Sequence, residues 1–246
     1  RAKKILQTLA GYYKDTHFHI WLSLDGVKKQ LDAMRGGAPH SFETLLRTYQ
    51  NLRQISFTNF TVGFQVLISK FNINTAPQLI EDVFMLYPDI VSLDVAFGSD
   101  ALDVIALNVT PEYERVTEII KMYLDRLRKL RGPASIRFLK QYLMRRTGII
   151  SRNLKYGERV GKCFAGHASL YVDPAGSVKD CPVAGRELGD LSECEYDIER
   201  ILKSATAKKV REQVNVSGCF CTMSSPSLSN VFLSPSEYLG IACSTL

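Results

Sequence analysis

This sequence of 246 residues lacks several features that mark specialised classes of protein. It has no run of about 18 apolar residues, so it predicts no membrane-spanning helix. Its first residues, from Arg1 to Gly11, favour a helix and carry no apolar core followed by a cleavage site, so no secretion signal is predicted. Internal repeats and low-complexity tracts are also absent. These absences favour an ordinary globular α/β protein.

Neither sign of charge dominates the chain, which has 31 Lys and Arg against 25 Asp and Glu. The densest basic stretch runs from Arg126 to Arg146 on predicted helices, without the glycine–aromatic pattern of an RNA-binding sheet. We therefore predict a solvated basic surface, with a nucleic-acid site as the weaker alternative.

Cysteine is scarce, with six residues in the chain, all between positions 163 and 243, and four of them stand in two groups. They form the stretch Cys163-x12-Gly176-x4-Cys181 and the tight pair Cys219-Phe220-Cys221. Such spacing is not typical of a disulfide scaffold and favours a reducing cytoplasm. Grouped thiolates can hold a soft metal centre, either iron–sulfur or tetrahedral zinc. Free buried cysteines are the alternative.

Strands and helices alternate in the first two thirds of the sequence. Strands are predicted for His17–Leu24, Thr61–Ile68 and Ile90–Ala96, from their β-rich composition and flanking turns. Apolar residues at helical spacing predict three helices. The first is capped by Ser41 and ends at Arg53, the second runs from about Pro77 to Leu86, and the third starts at Thr110-Pro111. This pattern indicates βαβ units and a parallel sheet. Three strands make a small sheet, so we predict the later part of a partial TIM-type barrel.

The character of the sequence changes after Tyr156-Gly157. A helix from Ser135 to Thr147, ending at Gly148, is predicted before this point. A short hairpin around Asp173–Gly176, one or two helices between Glu195 and Val214, and a Ser/Pro-rich loop-like end are predicted after it. We therefore divide the chain into residues 1–156 and a small α+β, cysteine-rich domain, residues 157–246.

Two motifs together resemble the radical S-adenosylmethionine enzymes. Trp21-Leu22-Ser23-Leu24-Asp25-Gly26, followed by Arg35-Gly36, is similar to the end of that family's fourth barrel strand. The cysteine stretch from Cys163 to Cys181 is similar to the start of the auxiliary-cluster domain, whose shortened form is called twitch. The family's Cys-x3-Cys-x2-Cys loop is absent, so we expect a C-terminal portion that is inactive alone.

The resemblance implies a set of ligands and cofactors. It implies an auxiliary [4Fe–4S] cluster on Cys163, Cys181, Cys219 and Cys221, with Cys194 or Cys243 as substitutes for one of the last pair. It implies S-adenosylmethionine contacts at Ser23, Arg35, Asp25, Asn72 and Asn74. A second [4Fe–4S] cluster would belong to the missing N-terminal part.

For the parent enzyme, the resemblance implies hydrogen abstraction by a 5′-deoxyadenosyl radical. The substrate class is a peptide or a small metabolite. The basic helices around Arg128 and Arg145 suggest a docking surface for an acidic flavodoxin or ferredoxin as electron donor. The alternative interpretation is a non-catalytic, peptide-binding barrel module with a structural metal site formed by four cysteines. His17 and His19, two apart on one strand face, are interpreted as ordinary barrel residues because no third metal ligand accompanies them.

Overall fold

The structure, a computed structural model, describes residues 2–98, 109–217, 219 and 222–245. The chain packs into two compact units. Unit 1 comprises residues 1–94 and 114–140, and unit 2 comprises residues 95–113 and 141–246. In the ranges just given, no helix is long and apolar enough to cross a membrane. The division into residues 1–156 and 157–246 concerns domain families and stays a prediction.

Unit 1 is built on a parallel three-stranded sheet with the strand order β1-β2-β3. Its strands and helices, in chain order, are α1 Ala2–Tyr12, β1 Phe18–Ser23, α2 Lys29–Met34, α3 Ser41–Arg53, β2 Phe60–Ile68, α4 Ala76–Met85, β3 Ile90–Val95 and α5 Tyr113–Lys129.

The two faces of this sheet differ in chemistry. Successive side chains of a strand point to opposite faces of the sheet. The residues of β2 on the same face as Phe64 are all apolar and buried: Phe60, Val62, Val66 and Ile68. Helices cover this face: the Tyr49 ring of α3 lies 4.7 Å from that of Phe64, and the Tyr123 hydroxyl of α5 donates to the Val91 carbonyl at 2.9 Å. The register pairs His19 with Thr61 and Ser23 with Gln65, so polar residues share the opposite face.

Unit 2 combines a small antiparallel sheet with helices. Its elements are β4 Tyr171–Val172, β5 Ser177–Lys179, β6 Glu187–Asp190, α7 Ile198–Lys203, α8 Ala205–Val216, α9 Ser224–Phe232 and α10 Pro235–Thr245, with a 3₁₀ turn at Ser192–Cys194. The helix α6, Ala134–Tyr156, supplies its last part to this unit. Gly176 closes the predicted hairpin with a φ of 102°, which a side chain would strain. The core around the sheet and α7–α8 is formed by one cluster of buried residues: Ala165, Val178, Cys181, Leu188, Ile201, Ala207, Val210 and Val214.

Several predicted element boundaries are wrong for identifiable reasons. The helix predicted to stop at Gly148 continues to Tyr156, because apolar residues such as Ile150 extend the buried stripe and one interior glycine costs only about 1 kcal/mol. The long helix begins at Tyr113, two residues after Pro111. Ser41 is not the cap of α3: His40 occupies the cap position, and the Ser41 amide donates to Asp32 instead.

The C-terminal segment contains two helices where the sequence predicts a loop. The Ser/Pro-rich end forms α9 and α10, which bury Val231 and Ile241. The abundance of serine and proline predicted a loop, but both residues are tolerated in the first turn of a helix. The two buried apolar positions were therefore not recognised in the sequence. The third strand of the small sheet, β6, was not predicted either, because Gly189 interrupts its short apolar pattern.

Candidate metal and cofactor sites

Three of the four predicted cysteine ligands line one cavity in unit 2. Cys163, Cys181 and Cys219 surround a volume of about 50 Å³. The fourth, Cys221, lies outside the described residues. The remaining lining is largely apolar and comes from the second half of α6, the chain from 159 to 186 and the start of α9: Ile149, Ile150, Asn153, Arg159, Ala165, Val183, Ala184, Arg186, Met223, Ser227 and Asn230.

Backbone amides surround the sulfur of Cys181. This residue follows β5 and is buried, and its Sγ accepts a hydrogen bond from the Ala184 amide at 3.2 Å. Burial raises the pKa of the Cys181 thiol, and the charge of Asp180 adds to this rise, while the amides of Val183, Ala184 and Gly185 oppose it. Amide donors directed at a sulfur stabilise its thiolate form, which is the form that ligates metals.

The loop that carries Cys181 is closed by one buried carboxylate. Asp180 is 0% exposed, and its Oδ1 accepts the amides of Cys181 at 2.8 Å and of Arg186 at 3.0 Å. Its Oδ2 accepts the Nε–H of Arg186 at 2.8 Å. Together these three bonds join the two ends of the loop, so Cys181 is fixed to the strands on either side.

Cys219 is exposed but its sulfur has two polar neighbours. The hydroxyl oxygen of Ser217 lies 3.1 Å from its Sγ. Arg186 lines the same cavity, and its positive charge interacts electrostatically with this sulfur. Cys163 is half-buried, and the adjoining Phe164 amide donates to the side chain of Asn230 in α9 at 2.8 Å. The sulfurs of Cys163 and Cys181 therefore come from segments that are anchored separately.

The cysteines share a cavity without forming a closed ligand shell. Across the described ranges, no group of three or more His, Cys, Asp or Glu side chains is placed to hold a metal ion. Their donor chemistry still fits a thiolate-bound metal, since three thiols face one small apolar space. A bound metal would have to draw them closer. Of the two proposed substitutes, Cys194 packs against the unit 2 core and Cys243 is exposed on α10.

The second candidate site lies at the end of β1 in unit 1. A cavity of about 550 Å³ is lined by Trp21, Leu22, Ser23, Leu31, Arg35, Pro39, Ser41, Thr44 and Leu45. The structure thus brings Ser23 and Arg35 to one cavity. The Arg35 Nη2 donates to the Ser23 carbonyl at 3.2 Å and lies 3.5 Å from Asp25 Oδ2, which holds the guanidinium at this position.

Asp25 also fixes the neighbouring strand. Its Oδ1 accepts the Leu67 amide of β2 at 2.9 Å. Burial raises the pKa of the Asp25 carboxyl, although the Leu67 amide and the Arg35 charge oppose the rise. Asp25 therefore connects Arg35 to the sheet and does not line the cavity.

The two predicted asparagines have different surroundings. Asn72 is buried, and its side-chain amide donates to the carbonyls of Asp25 and Leu67 at 2.8 Å each, while its Oδ1 accepts the Ser69 amide at 2.7 Å. This set of bonds shapes the loop after β2. Asn74 accepts a hydrogen bond from Arg115 of α5 at 3.2 Å. A cofactor contact for either residue stays a prediction.

The polar face of the unit 1 sheet was missed at the sequence level. Thr61 Oγ1 lies 2.6 Å from His19 Nδ1 and 3.4 Å from His17 Nε2, and the two imidazoles stack with centroids 4.4 Å apart. Further along this face, the Gln65 amide donates to the Asp94 carboxylate. The signal was present as alternation of polar and apolar residues in the second and third strands, but their high apolar content masked it.

Comparison with known proteins does not establish the family or the activity of this chain. No family model matches the chain, and no curated protein matches it. Two solved structures are similar to it at 12% identity: native anSMEcpe with bound AdoMet and Kp18Cys peptide, with a TM-score of 0.47, and native anSMEcpe with bound AdoMet, with a TM-score of 0.49. The first match covers 82% of this chain and 55% of the solved chain, and the second covers 97% of this chain and 69% of the solved chain. Similarity at these TM-scores establishes neither family nor activity.

Proposed function

We propose that this chain is part of a radical S-adenosylmethionine enzyme and that unit 2 binds an auxiliary [4Fe–4S] cluster. Cys163, Cys181, Cys219 and Cys221 are the proposed ligands. The observation that supports this proposal most is the convergence of three of these thiols on one cavity. Cysteine thiolates are the usual ligands of such clusters, which when bound supply one-electron transfer.

The chain's own residues would perform three tasks at this site. The amides of Val183, Ala184 and Gly185 would offset part of the burial that raises the pKa of Cys181, and so would ease the ionisation of its sulfur on metal binding. The apolar side chains of Ile149, Ile150 and Ala165 would limit the access of water. The Asp180–Arg186 ion pair would keep the loop closed around the ligand.

We propose S-adenosylmethionine as the ligand of the cavity at the end of β1. A guanidinium can bind a carboxylate through two parallel hydrogen bonds, and Arg35 lines this cavity together with Ser23. Much of the Arg35 side chain is still available, since 45% of it is exposed. The polar sheet face would then receive the substrate, a peptide or a small metabolite, from which the parent enzyme abstracts hydrogen.

An acidic flavodoxin or ferredoxin remains the proposed electron donor. On α5, Arg126 pairs with Glu81 and Arg128 pairs with Asp125 at 2.6 Å. On the unit 2 side of α6, Arg145 lies 3.4 Å from Glu237. These partners lower the effective positive charge of each surface. Charge reversal in the intact parent enzyme would test the proposal: loss of reduction would support it, and unchanged reduction would contradict it.

Electron paramagnetic resonance of the reconstituted chain tests the cluster directly. The chain is reconstituted anaerobically with iron and sulfide, reduced with dithionite, and compared with Cys163→Ser, Cys181→Ser and Cys243→Ser variants. We expect a cluster signal that is lost or strongly altered in the first two variants and unchanged in Cys243→Ser, the matched control. An identical signal in all four proteins would place any cluster elsewhere.

A further inference from the structure

Asp32 connects two helices that both contribute to the cavity at the end of β1. It lies in α2, three residues before Arg35, and nine residues before Ser41, the first residue of α3. Arg35 and Ser41 line this cavity, whereas Asp32 does not. The segment that joins the two helices, residues 35–41, is called the strap below.

The main chain of Asp32 takes part in the cap that ends α2. Its carbonyl accepts the Gly37 amide at 2.9 Å. One residue earlier, the Gly36 amide donates to the Ala33 carbonyl at 3.2 Å. These two bonds form a Schellman motif, in which Gly36 is the left-handed residue with a φ of 70°. The strap therefore leaves α2 in a conformation that favours glycine.

The side chain of Asp32 holds the other end of the strap. Its Oδ1 accepts the Ser41 amide at 2.9 Å. An amide in the first turn of a helix has no partner within that helix, and His40, at the cap position of α3, makes no capping bond through its side chain. A carboxylate at this end of a helix is also favoured by the helix dipole. Asp32 thus caps α3 from the preceding helix.

The middle of the strap is open to solvent. All residues from 35 to 40 are exposed. A Cβ added at Gly36 or Gly37 would meet nothing within 4 Å. Because the strap packs against so little, the hydrogen bonds at its two ends determine where it lies.

The strap joins two parts of the cavity lining. Arg35, at its start, is held by the ion pair with Asp25. Pro39 and Ser41, at its end, line the cavity together with the start of α3. The bond from the Ser41 amide to Asp32 therefore ties the second part of the lining to the first.

We propose that Asp32 is a positioning residue of this cavity: by capping α2 and α3 at once, it holds Pro39 and Ser41 at the distance from Arg35 that a bound ligand requires. The inference rests on the proposed function for the identity of the ligand, S-adenosylmethionine, but not for the arrangement of the strap. If loss of the carboxylate leaves the strap correctly placed for about a tenth of the time, the dissociation constant rises by about 10-fold.

Two variants of Asp32 test the bond to Ser41. Asp32→Ala removes the acceptor, whereas Asp32→Asn keeps a side-chain oxygen that can accept the amide. Asp197→Ala is the matched control, because Asp197 caps α7 in unit 2 and its Oδ1 accepts the Glu199 amide at 2.9 Å.

Equilibrium dialysis of the whole chain with labelled S-adenosylmethionine gives the first readout. We expect Asp32→Ala to raise the dissociation constant by about 10-fold, and Asp32→Asn and Asp197→Ala to bind as the wild type does. A purely structural cap would lower stability in both alanine variants without changing the affinity of the folded chain.

Amide hydrogen exchange of the whole chain without ligand gives a second readout that does not depend on S-adenosylmethionine. Exchange in peptides that cover residues 35–44 should be faster in Asp32→Ala than in the wild type and unchanged in the other two variants. Unchanged exchange in Asp32→Ala would overturn the inference. Faster exchange with wild-type affinity would also overturn it, because Asp32 would then be a helix cap alone.

Failure of the inference and failure of the proposed function give different results. A wild type that binds S-adenosylmethionine, with equal affinity in Asp32→Ala, would overturn the inference and leave the proposed function standing. A wild type that binds no S-adenosylmethionine, with faster strap exchange in Asp32→Ala, would overturn the proposed ligand and keep the role of Asp32 in placing the strap.

Discussion

At the scale of single residues, Arg35 is held in place while much of its side chain faces solvent. The Ser23 carbonyl and the Asp25 carboxylate fix the guanidinium beside the cavity at the end of β1. Exposed ion pairs of this kind contribute only about 0–1 kcal/mol to stability. Stability alone therefore gives little reason for this arrangement, and the proposed binding of a carboxylate would give one.

Under the proposed function, replacement of Arg35 should weaken the binding of S-adenosylmethionine. Loss of a charged hydrogen-bonding group costs about 1.5–3 kcal/mol, so Arg35→Gln should raise the dissociation constant by roughly 10- to 100-fold. Equilibrium dialysis with labelled S-adenosylmethionine measures this constant. Arg128→Gln, which removes an exposed pair on α5, is the control and should bind as the wild type does. Equal affinity in both variants would remove Arg35 from the site.

At the scale of secondary-structure elements, the close packing of β1, β2 and β3 depends on one glycine. A Cβ at Gly63 would lie 2.7 Å from Cγ2 of Ile90 and 3.1 Å from the Trp21 ring. Gly63 occupies the central strand, so neither neighbour can move away without disturbing the sheet. By contrast, a Cβ at Gly148 in α6 would meet nothing within 4 Å.

These two glycines should respond oppositely to alanine. Gly63→Ala forces an overpacked contact and should destabilise the chain by about 1–3 kcal/mol. Gly148→Ala lies in a helix interior with free space and should stabilise it by about 0.5–1 kcal/mol. Urea unfolding followed by circular dichroism gives both values. A stabilising Gly63→Ala would mean that the strands are farther apart than described.

The same elements show what sequence patterns could predict. The three strands of unit 1 were predicted to within a residue or two, because their flanking turns and continuous apolar runs are strong local signals. Helix ends were predicted less well. Gly148 and the Ser/Pro-rich end favour termination locally, and buried positions such as Ile150 and Ile241 override them.

The sequence allowed the candidate site residues to be named, but it did not allow their hydrogen-bond partners to be predicted. The sequence predicted Cys163, Cys181, Cys219 and Cys221 as one group, and the first three line one cavity while Cys221 lies outside the described residues. The pairing of Asp180 with Arg186 was not predicted, because acidic and basic residues six apart in a loop carry no periodic signal. Asn72 shows the converse: its position suggests a ligand contact, while its bonds close a loop.

At the scale of the whole molecule, the stacked histidines of the sheet should make stability depend on pH. Burial lowers the pKa of both His17 and His19 below 6.5. The charge of Asp89 partly offsets this lowering for His17, whereas the charge of His17 lowers the pKa of His19 further. The unfolded chain then binds protons more readily than the folded chain does. Their contribution to stability is therefore complete above pH 6.5 and is lost as the pH falls through and below this value.

The free energy of unfolding at about pH 7.5 and about pH 5.5 tests this dependence. The wild type should be less stable at the lower pH. A His17→Gln/His19→Gln double variant should lose less stability between the two values, since it has fewer groups to protonate. The same loss in both proteins would show that these two histidines do not control the response.

The proposed function requires above all that unit 2 bind an iron–sulfur cluster. The most direct measurement is the iron, sulfide and zinc content of the chain after anaerobic purification and reconstitution, with Cys163→Ala and Cys181→Ala alongside. We predict about four irons and four sulfides per chain, lost in both variants. Stoichiometric zinc, or no metal at all, would contradict the proposed auxiliary cluster.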